Sequence, residues 1–133
     1  MSNPGETFFT SIGCMDGRVQ DPISQYGKKR YGVKYMDTIT EAGLVGVLGS
    51  PSVDKQLLES IKNKILISLE KHHSKGIVVH GHQECAGNPV DETLHREQTV
   101  DAASVIRSFV PSDLEIMPVF VVRDGENWII EEL

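Results

Sequence analysis

Short runs of β-branched and aromatic residues alternate along this chain with longer stretches of helical periodicity, and that alternation sets the expected fold. Thr7 to Ile12 is short, aromatic and β-branched and closes at Gly13, which predicts a strand delivering Cys14 at its carboxyl end. Arg18 to Gly32 reads as a polar excursion: Asp21-Pro22 is a turn or helix start, followed by one short helical turn through Tyr26. Val33 to Ile39 reads as a second strand, although Lys34, Met36 and Asp37 blur its alternation. Glu41 to Gly49 holds three glycines among small apolar residues, so backbones can approach closely and a pocket-lining loop is expected.

Ser50-Pro51 has the chemistry of a helix start, with Asp54 suited to the positive end of the dipole. Leu57, Leu58, Ile61, Ile65 and Leu69 follow at helical spacing, opposite Lys55, Glu59, Lys62 and Asn63, to about His73, and Gly76 supplies the exit. Ile77-Val78-Val79 predicts a strand buried on both faces of a parallel sheet, bringing His80, Gly81 and His82 to its end. Asn88-Pro89 with Asp91 and Glu92 starts another helix, whose buried stripe is Leu94, Ala102, Val105, Ile106 and Phe109 and which Pro111 stops. Val119 to Arg123, Asp124-Gly125 and Trp128 to Glu131 read as a terminal hairpin, and Pro118 points to an edge position. The expectation is a single α/β domain over residues 1–133: a mainly parallel β-sheet flanked by helices, with a C-terminal hairpin or edge strand. In such sheets ligands collect beyond the carboxyl ends of the strands, where chain order reverses.

Charge removes several partners. The net charge is −6 with no long basic run, which argues against nucleic acid and anionic membrane surfaces. No apolar stretch is long enough to cross a bilayer, and Met1 to Glu6 lacks the basic-then-apolar pattern of a secretory signal, so a cytoplasmic protein with reduced thiols is expected.

That expectation bears on the chemistry, because the only two cysteines fall in Cys14-Met15-Asp16-Gly17-Arg18 and His82-Gln83-Glu84-Cys85. Thiolate, imidazole and carboxylate are the ligands Zn²⁺ prefers, and two soft sulfurs disfavour Mg²⁺ and Ca²⁺. A mononuclear zinc site acting on a small-molecule substrate is the central expectation, and the two segments meet there if the strands carrying them are neighbours. Other chemistries lack their spacing. A cysteine phosphatase needs a longer loop between nucleophile and arginine than Cys14 to Arg18 provides, and there is no Cys-x-x-Cys, Gly-x-Gly-x-x-Gly or P-loop sequence. The blander readings are that Cys14 and Cys85 are buried thiols or a disulfide, and that Asp16 and Arg18 form only a structural ion pair.

Cys14-x-Asp16-x-Arg18 paired with His82-x-x-Cys85 resembles the signature of the β-class carbonic anhydrases, and the strand, glycine-bearing loop and long helix between them resemble that family's layout from about Phe8 to the C-terminus. The chain departs from the family pattern at Gly17, at Ala86 and at Ile39-Thr40-Glu41, and the family's upstream substrate-binding glutamine has no evident counterpart. The resemblance implies Cys14, His82 and Cys85 as zinc ligands. Asp16 then either joins them and closes the site or pairs with Arg18 and leaves a position for water. In the open state the implied reaction is reversible hydration of CO₂ to bicarbonate by zinc-bound hydroxide, with Asp16 orienting the nucleophile and Arg18 orienting Asp16. Two other readings stay open: hydrolysis of carbonyl sulfide or carbon disulfide, and a non-catalytic zinc-binding protein closed by Asp16. The resemblance and the small core also favour a homodimer or higher assembly. Of the remaining candidates, His80 reads as a hydrogen-bonded pocket wall, Glu84 as a solvated carboxylate or proton acceptor, His72 and His73 as helix C-terminal cations, and His95 as a solvated helix face.

Overall fold

The computed structural model describes residues 3–133; Met1 and Ser2, part of the stretch read for a secretory signal, lie outside the described residues. Its elements are β1 (Phe8–Gly13), α1 (Gly17–Tyr31), β2 (Tyr35–Thr40), α2 (Leu44–Leu48), α3 (Lys55–Lys71), β3 (Ile77–His82), α4 (Glu92–Arg107), β4 (Ile116–Asp124) and β5 (Asn127–Glu132). The strands form one sheet in the order β2-β1-β3-β4-β5. β2, β1, β3 and β4 are parallel, and β5 returns antiparallel on β4 as the expected hairpin. Alternation divides the core between the two faces. Phe9, Val78, Val119 and Val121 pack with Val19 and Ile23 of α1 on one side, whereas Ile12, Ile77 and Val79 pack with Leu44, Ile61, Ile65 and Ile106 of α2, α3 and α4 on the other. β3, at the centre, is buried at all six positions, as its apolar run predicts.

The polar excursion from Arg18 is instead a fifteen-residue helix. Only Val19, Ile23 and Gly27 are buried, spaced four apart, so a single narrow stripe seats α1. Gly27 is essential to that contact, because a Cβ there would lie 2.1 Å from the Phe9 ring. The helix ends where Gly32, at φ 63°, donates its N–H to the Lys28 carbonyl.

Smaller corrections follow the same logic of which group satisfies which. The second strand begins at Tyr35 rather than Val33. Part of the expected loop at 41–49 is the short helix α2, entered through Gly43 at φ 62°. α3 is capped by the Asp54 carboxylate, which accepts from Gln56 and Leu57 N–H groups, while Ser50 and Pro51 precede the helix. α4 starts after Asp91, which accepts from Leu94 N–H. Its buried stripe runs through His95, Thr99, Ala102, Ala103 and Ile106, so His95 faces the sheet and Leu94 faces outward. Pro118 is not on an edge, since β4 lies between β3 and β5. Its carbonyl accepts from Leu133 N–H, so its missing donor falls opposite the last residue of the hairpin and costs the inner ladder nothing.

Candidate metal centre

β1 and β3 are adjacent and parallel, with Gly13 opposite His80, so their carboxyl ends deliver the two motif segments to one place. Cys14 follows β1 directly. Cys85 returns to it through the turn after β3, leaving Cys14 Sγ and Cys85 Sγ 3.7 Å apart. Both cysteines are free and buried. The His82 Nδ1–H donates to the Gln83 carbonyl at 2.7 Å, which in the neutral ring leaves Nε2 as the unprotonated face. That nitrogen is buried and has no hydrogen-bond partner. The ligand atoms of Cys14, His82 and Cys85 all lie within 4.8 Å of one another. Tetrahedral Zn²⁺ with ordinary Zn–S and Zn–N lengths places sulfurs about 3.8 Å apart and sulfur and nitrogen about 3.5 Å apart, so the donor set and spacing fit such an ion.

The electrostatics agree with that fit. Burial pushes the Cys14 thiol up, but the neighbouring His82 ring, the backbone of Gly43 and Asp16, and Cys85 outweigh it and bring its pKa down to about 7. The Gly43 N–H donates to Cys14 Sγ at 3.4 Å, which gives the α2 segment a place at the site through its backbone. Burial and the neighbouring Cys14 thiolate push Cys85 up. A cation at the three ligands would stabilise both thiolates together.

Asp16 is the N-cap of α1 and accepts from Arg18 N–H at 2.9 Å. The same carboxylate receives the Arg18 side chain as a fork, Nε to Oδ1 at 3.1 Å and Nη2 to Oδ2 at 2.7 Å. This bond, more than the neighbouring charges, brings its pKa down to about 2 and keeps it ionised. Asp16 Oδ2 lies 3.9 Å from His82 Nε2, beside the cluster.

Three neighbours escaped the sequence reading. Gln20 donates from Nε2 to the carbonyls of Cys14 and Asp16, at 2.9 and 2.8 Å, pinning the Cys14 loop from the first turn of α1. Reading 17–31 as a helix would have revealed it, because that places Gln20 over the loop before the cap. Arg123 and Trp128, read only as hairpin residues, meet Arg18: both guanidinium groups lie over the Trp128 ring, at 4.6 and 4.8 Å from its centroid. Glu84 is exposed, yet it is clamped between Arg18 and Arg123 rather than simply solvated.

His80 and His95 also differ from expectation. His80 is fully buried, and neither ring nitrogen has a hydrogen-bond partner, so it is not a hydrogen-bonded wall. Its ring occupies the space a side chain at Gly13 would need, and burial brings its pKa down to about 3. His95 is 3% exposed and packs edge-on to Phe120 with centroids 5.2 Å apart. It joins His82, Glu84, Cys85 and Asn88 around a cavity of about 280 Å³ that borders the Cys14, His82 and Cys85 cluster. His72, at the C-cap of α3, holds Asp37 and stacks on Phe8, far from the motifs in the chain.

The comparisons with known proteins point the same way as this geometry. A family profile described as "Putative carbonic anhydrase" matches residues 4–132. No curated protein sequence matches the chain. Among solved structures, the β-carbonic anhydrase isoform I of Trichomonas vaginalis superposes with a TM-score of 0.57 at 12% identity, covering 96% of this chain and 82% of that one. A carbonic anhydrase from Streptococcus mutans superposes with a TM-score of 0.59 at 16% identity, covering 99% and 86%. These likenesses show a shared α/β fold, and the match over nearly the whole sequence shows the family: the chain belongs to the carbonic anhydrase family of the β-class fold.

Proposed function

We propose that this protein is a zinc enzyme that reversibly hydrates CO₂ to bicarbonate, with Cys14, His82 and Cys85 as metal ligands and Asp16 and Arg18 as the polar pair beside them. The observation that carries the reading is the buried, unpartnered Nε2 of His82 converging with two free thiols. A buried polar nitrogen left without a partner is costly, and a ligand role accounts for it. Bound there, Zn²⁺ would supply the Lewis acidity that makes a water nucleophilic near neutral pH. Asp16, at a pKa of about 2, stays ionised throughout the working range, so it accepts a hydrogen bond from the nucleophile and orients it without carrying the proton away. Arg18 fixes which carboxylate oxygen is presented. Glu84, likewise brought down to about 2 by Arg123 and then Arg18, is too weak a base to accept the released proton at neutral pH. The proton therefore leaves to buffer by another route.

Metal analysis of the purified protein followed by a stopped-flow CO₂ hydration assay tests the reading. Stoichiometric zinc and turnover support it. Zinc without turnover favours the non-catalytic alternative, and turnover with carbonyl sulfide but not CO₂ favours the heterocumulene hydrolase. A dimer or higher assembly belongs to the same proposal. Met15, 63% exposed immediately beside Cys14, is an apolar residue such a partner would cover, and sedimentation analysis tests that assembly.

A further inference from the structure

We propose that Glu84 is a positioning residue: locked by Arg123 over Trp128, it anchors Arg18 and so keeps the Asp16 carboxylate drawn away from the Cys14, His82 and Cys85 cluster. This rests on the metal-site reading above and goes beyond it, because it identifies what decides between an Asp16 that pairs with arginine and an Asp16 that joins the metal.

Asp16 Oδ2 has two possible partners. Arg18 Nη2 is 2.7 Å away, and His82 Nε2, marking the cluster, is 3.9 Å away. An ionised carboxylate that close to a divalent cation would move onto it unless its present partner were firmly held. Arg18 alone is poorly suited to hold it, being a long side chain on the first turn of α1 and 41% exposed. Its fixity comes from Glu84, whose backbone carbonyl accepts from Nη2 at 3.1 Å and whose Oε1 accepts from Nη1 at 3.3 Å. Glu84 is held in turn by a bidentate fork from Arg123, Nε to Oε2 at 2.8 Å and Nη2 to Oε1 at 2.9 Å. The Arg123 backbone N–H is also tied to Gln83 Oε1 at 2.8 Å, which fastens the ligand turn to β4.

Two features show that this arrangement is specified. Glu84 sits at φ 57°, in the left-handed region that residues with a Cβ rarely occupy. That backbone turn presents both its carbonyl and its carboxylate to Arg18, between His82 and Cys85 in the chain. Trp128 of β5 then carries both guanidinium groups on its ring, which brings two like charges together on a surface that attracts each of them. Glu84 neutralises the pair from between.

The test uses the full-length chain loaded with Co²⁺ and titrated with azide, followed by visible absorption, so that access to the metal is read without turnover. In Glu84→Gln, the loosened Arg18 lets Asp16 compete for the metal, and azide binding weakens about tenfold relative to wild type. In an Asp16→Asn background, Glu84→Gln has no further effect, a dependence that simple damage to the ligand turn would not produce. Arg123→Met, placed on β4 outside the ligand turn, gives the same pattern and serves if Glu84→Gln loads poorly. Unchanged azide affinity in cobalt-loaded Glu84→Gln and Arg123→Met overturns the inference, as does a loss that persists undiminished without the Asp16 charge. If wild type itself binds no cobalt, the metal-site reading fails and this inference falls with it; if wild type binds cobalt and hydrates CO₂ while the variants titrate normally, only the inference falls.

Discussion

Two polar clusters share the strand β1, and they are built on opposite principles. At the carboxyl ends of β1 and β3, two free thiols face each other and the His82 imidazole keeps a buried nitrogen with no partner. In the middle of β1 and β2, under α3, the polar groups close on themselves. Ser68 Oγ and His72 Nδ1 each meet Asp37 Oδ2 at 2.7 Å, Thr10 Oγ1 stands 2.7 Å from both Ser68 and Ser74, and Ser74 donates to the Gly76 carbonyl at 3.0 Å. Each hydroxyl there has a partner within the protein, which is what a network that only stabilises needs. A set of residues rich in Ser, Asp and His is therefore no guide to chemistry by itself. The cluster that leaves donors and acceptors open to something else is the one equipped to bind it.

The most damaging way to probe that difference is to remove a proposed ligand from the open cluster. Cys14→Ser or Cys85→Ser should abolish stoichiometric zinc and return CO₂ hydration to the uncatalysed rate, measured by metal analysis and stopped flow; either variant retaining both would dissolve the contrast. Asp16→Asn is the next largest effect. It preserves side-chain shape and removes the charge, so zinc should stay bound while turnover falls about 10- to 100-fold. Arg18→Lys should follow with a smaller loss of turnover, because an ammonium cannot reproduce the two-pronged contact now made at 3.1 and 2.7 Å.

The open cluster was largely legible in the sequence because its residues are chemically rare in this chain: two cysteines, each in a short motif. The parallel sheet was legible from the apolar run before His80. What stayed hidden was whatever depends on partners distant in the chain. α1 buries a stripe too narrow for periodicity to register, with Pro22 inside it, and its seat on Phe9 is a glycine, which carries no hydrophobic signal. Glu84 and Arg123 look like solvated charges until β4 and the ligand turn are side by side. His95 resembles a surface residue until the phase of α4, set by its cap at Asp91, turns it inward.

His95 also separates the two regions by pH. Burial, and then the neighbouring His82, bring its pKa down to about 4, with Glu92 opposing weakly. An unfolded histidine titrates near 6.5, so between those values the unfolded chain binds the extra proton and stability rises with pH. The contribution is complete above about 6.5 and is lost as pH falls through about 4, up to about 3 kcal/mol. Urea unfolding of the reduced, metal-free protein should therefore weaken more steeply on acidification than that of His95→Leu. Equal slopes would show that the imidazole gains its proton without unfolding.

The smallest effect belongs to the closed network, and it bounds the comparison from the other side. Removing the Ser68 hydroxyl leaves Asp37 with His72 and Thr10 with Ser74, so no buried group is orphaned. Ser68→Ala should then cost about 1 kcal/mol in urea unfolding, near the ordinary value of a single hydrogen bond. Zinc content and CO₂ turnover should match wild type, since the network shares β1 with the candidate metal cluster but none of its proposed ligands. A tenfold loss of turnover with zinc retained would mean that β1 transmits the state of Thr10 to Cys14, and the two clusters would have to be treated as one coupled system rather than as a site and a brace.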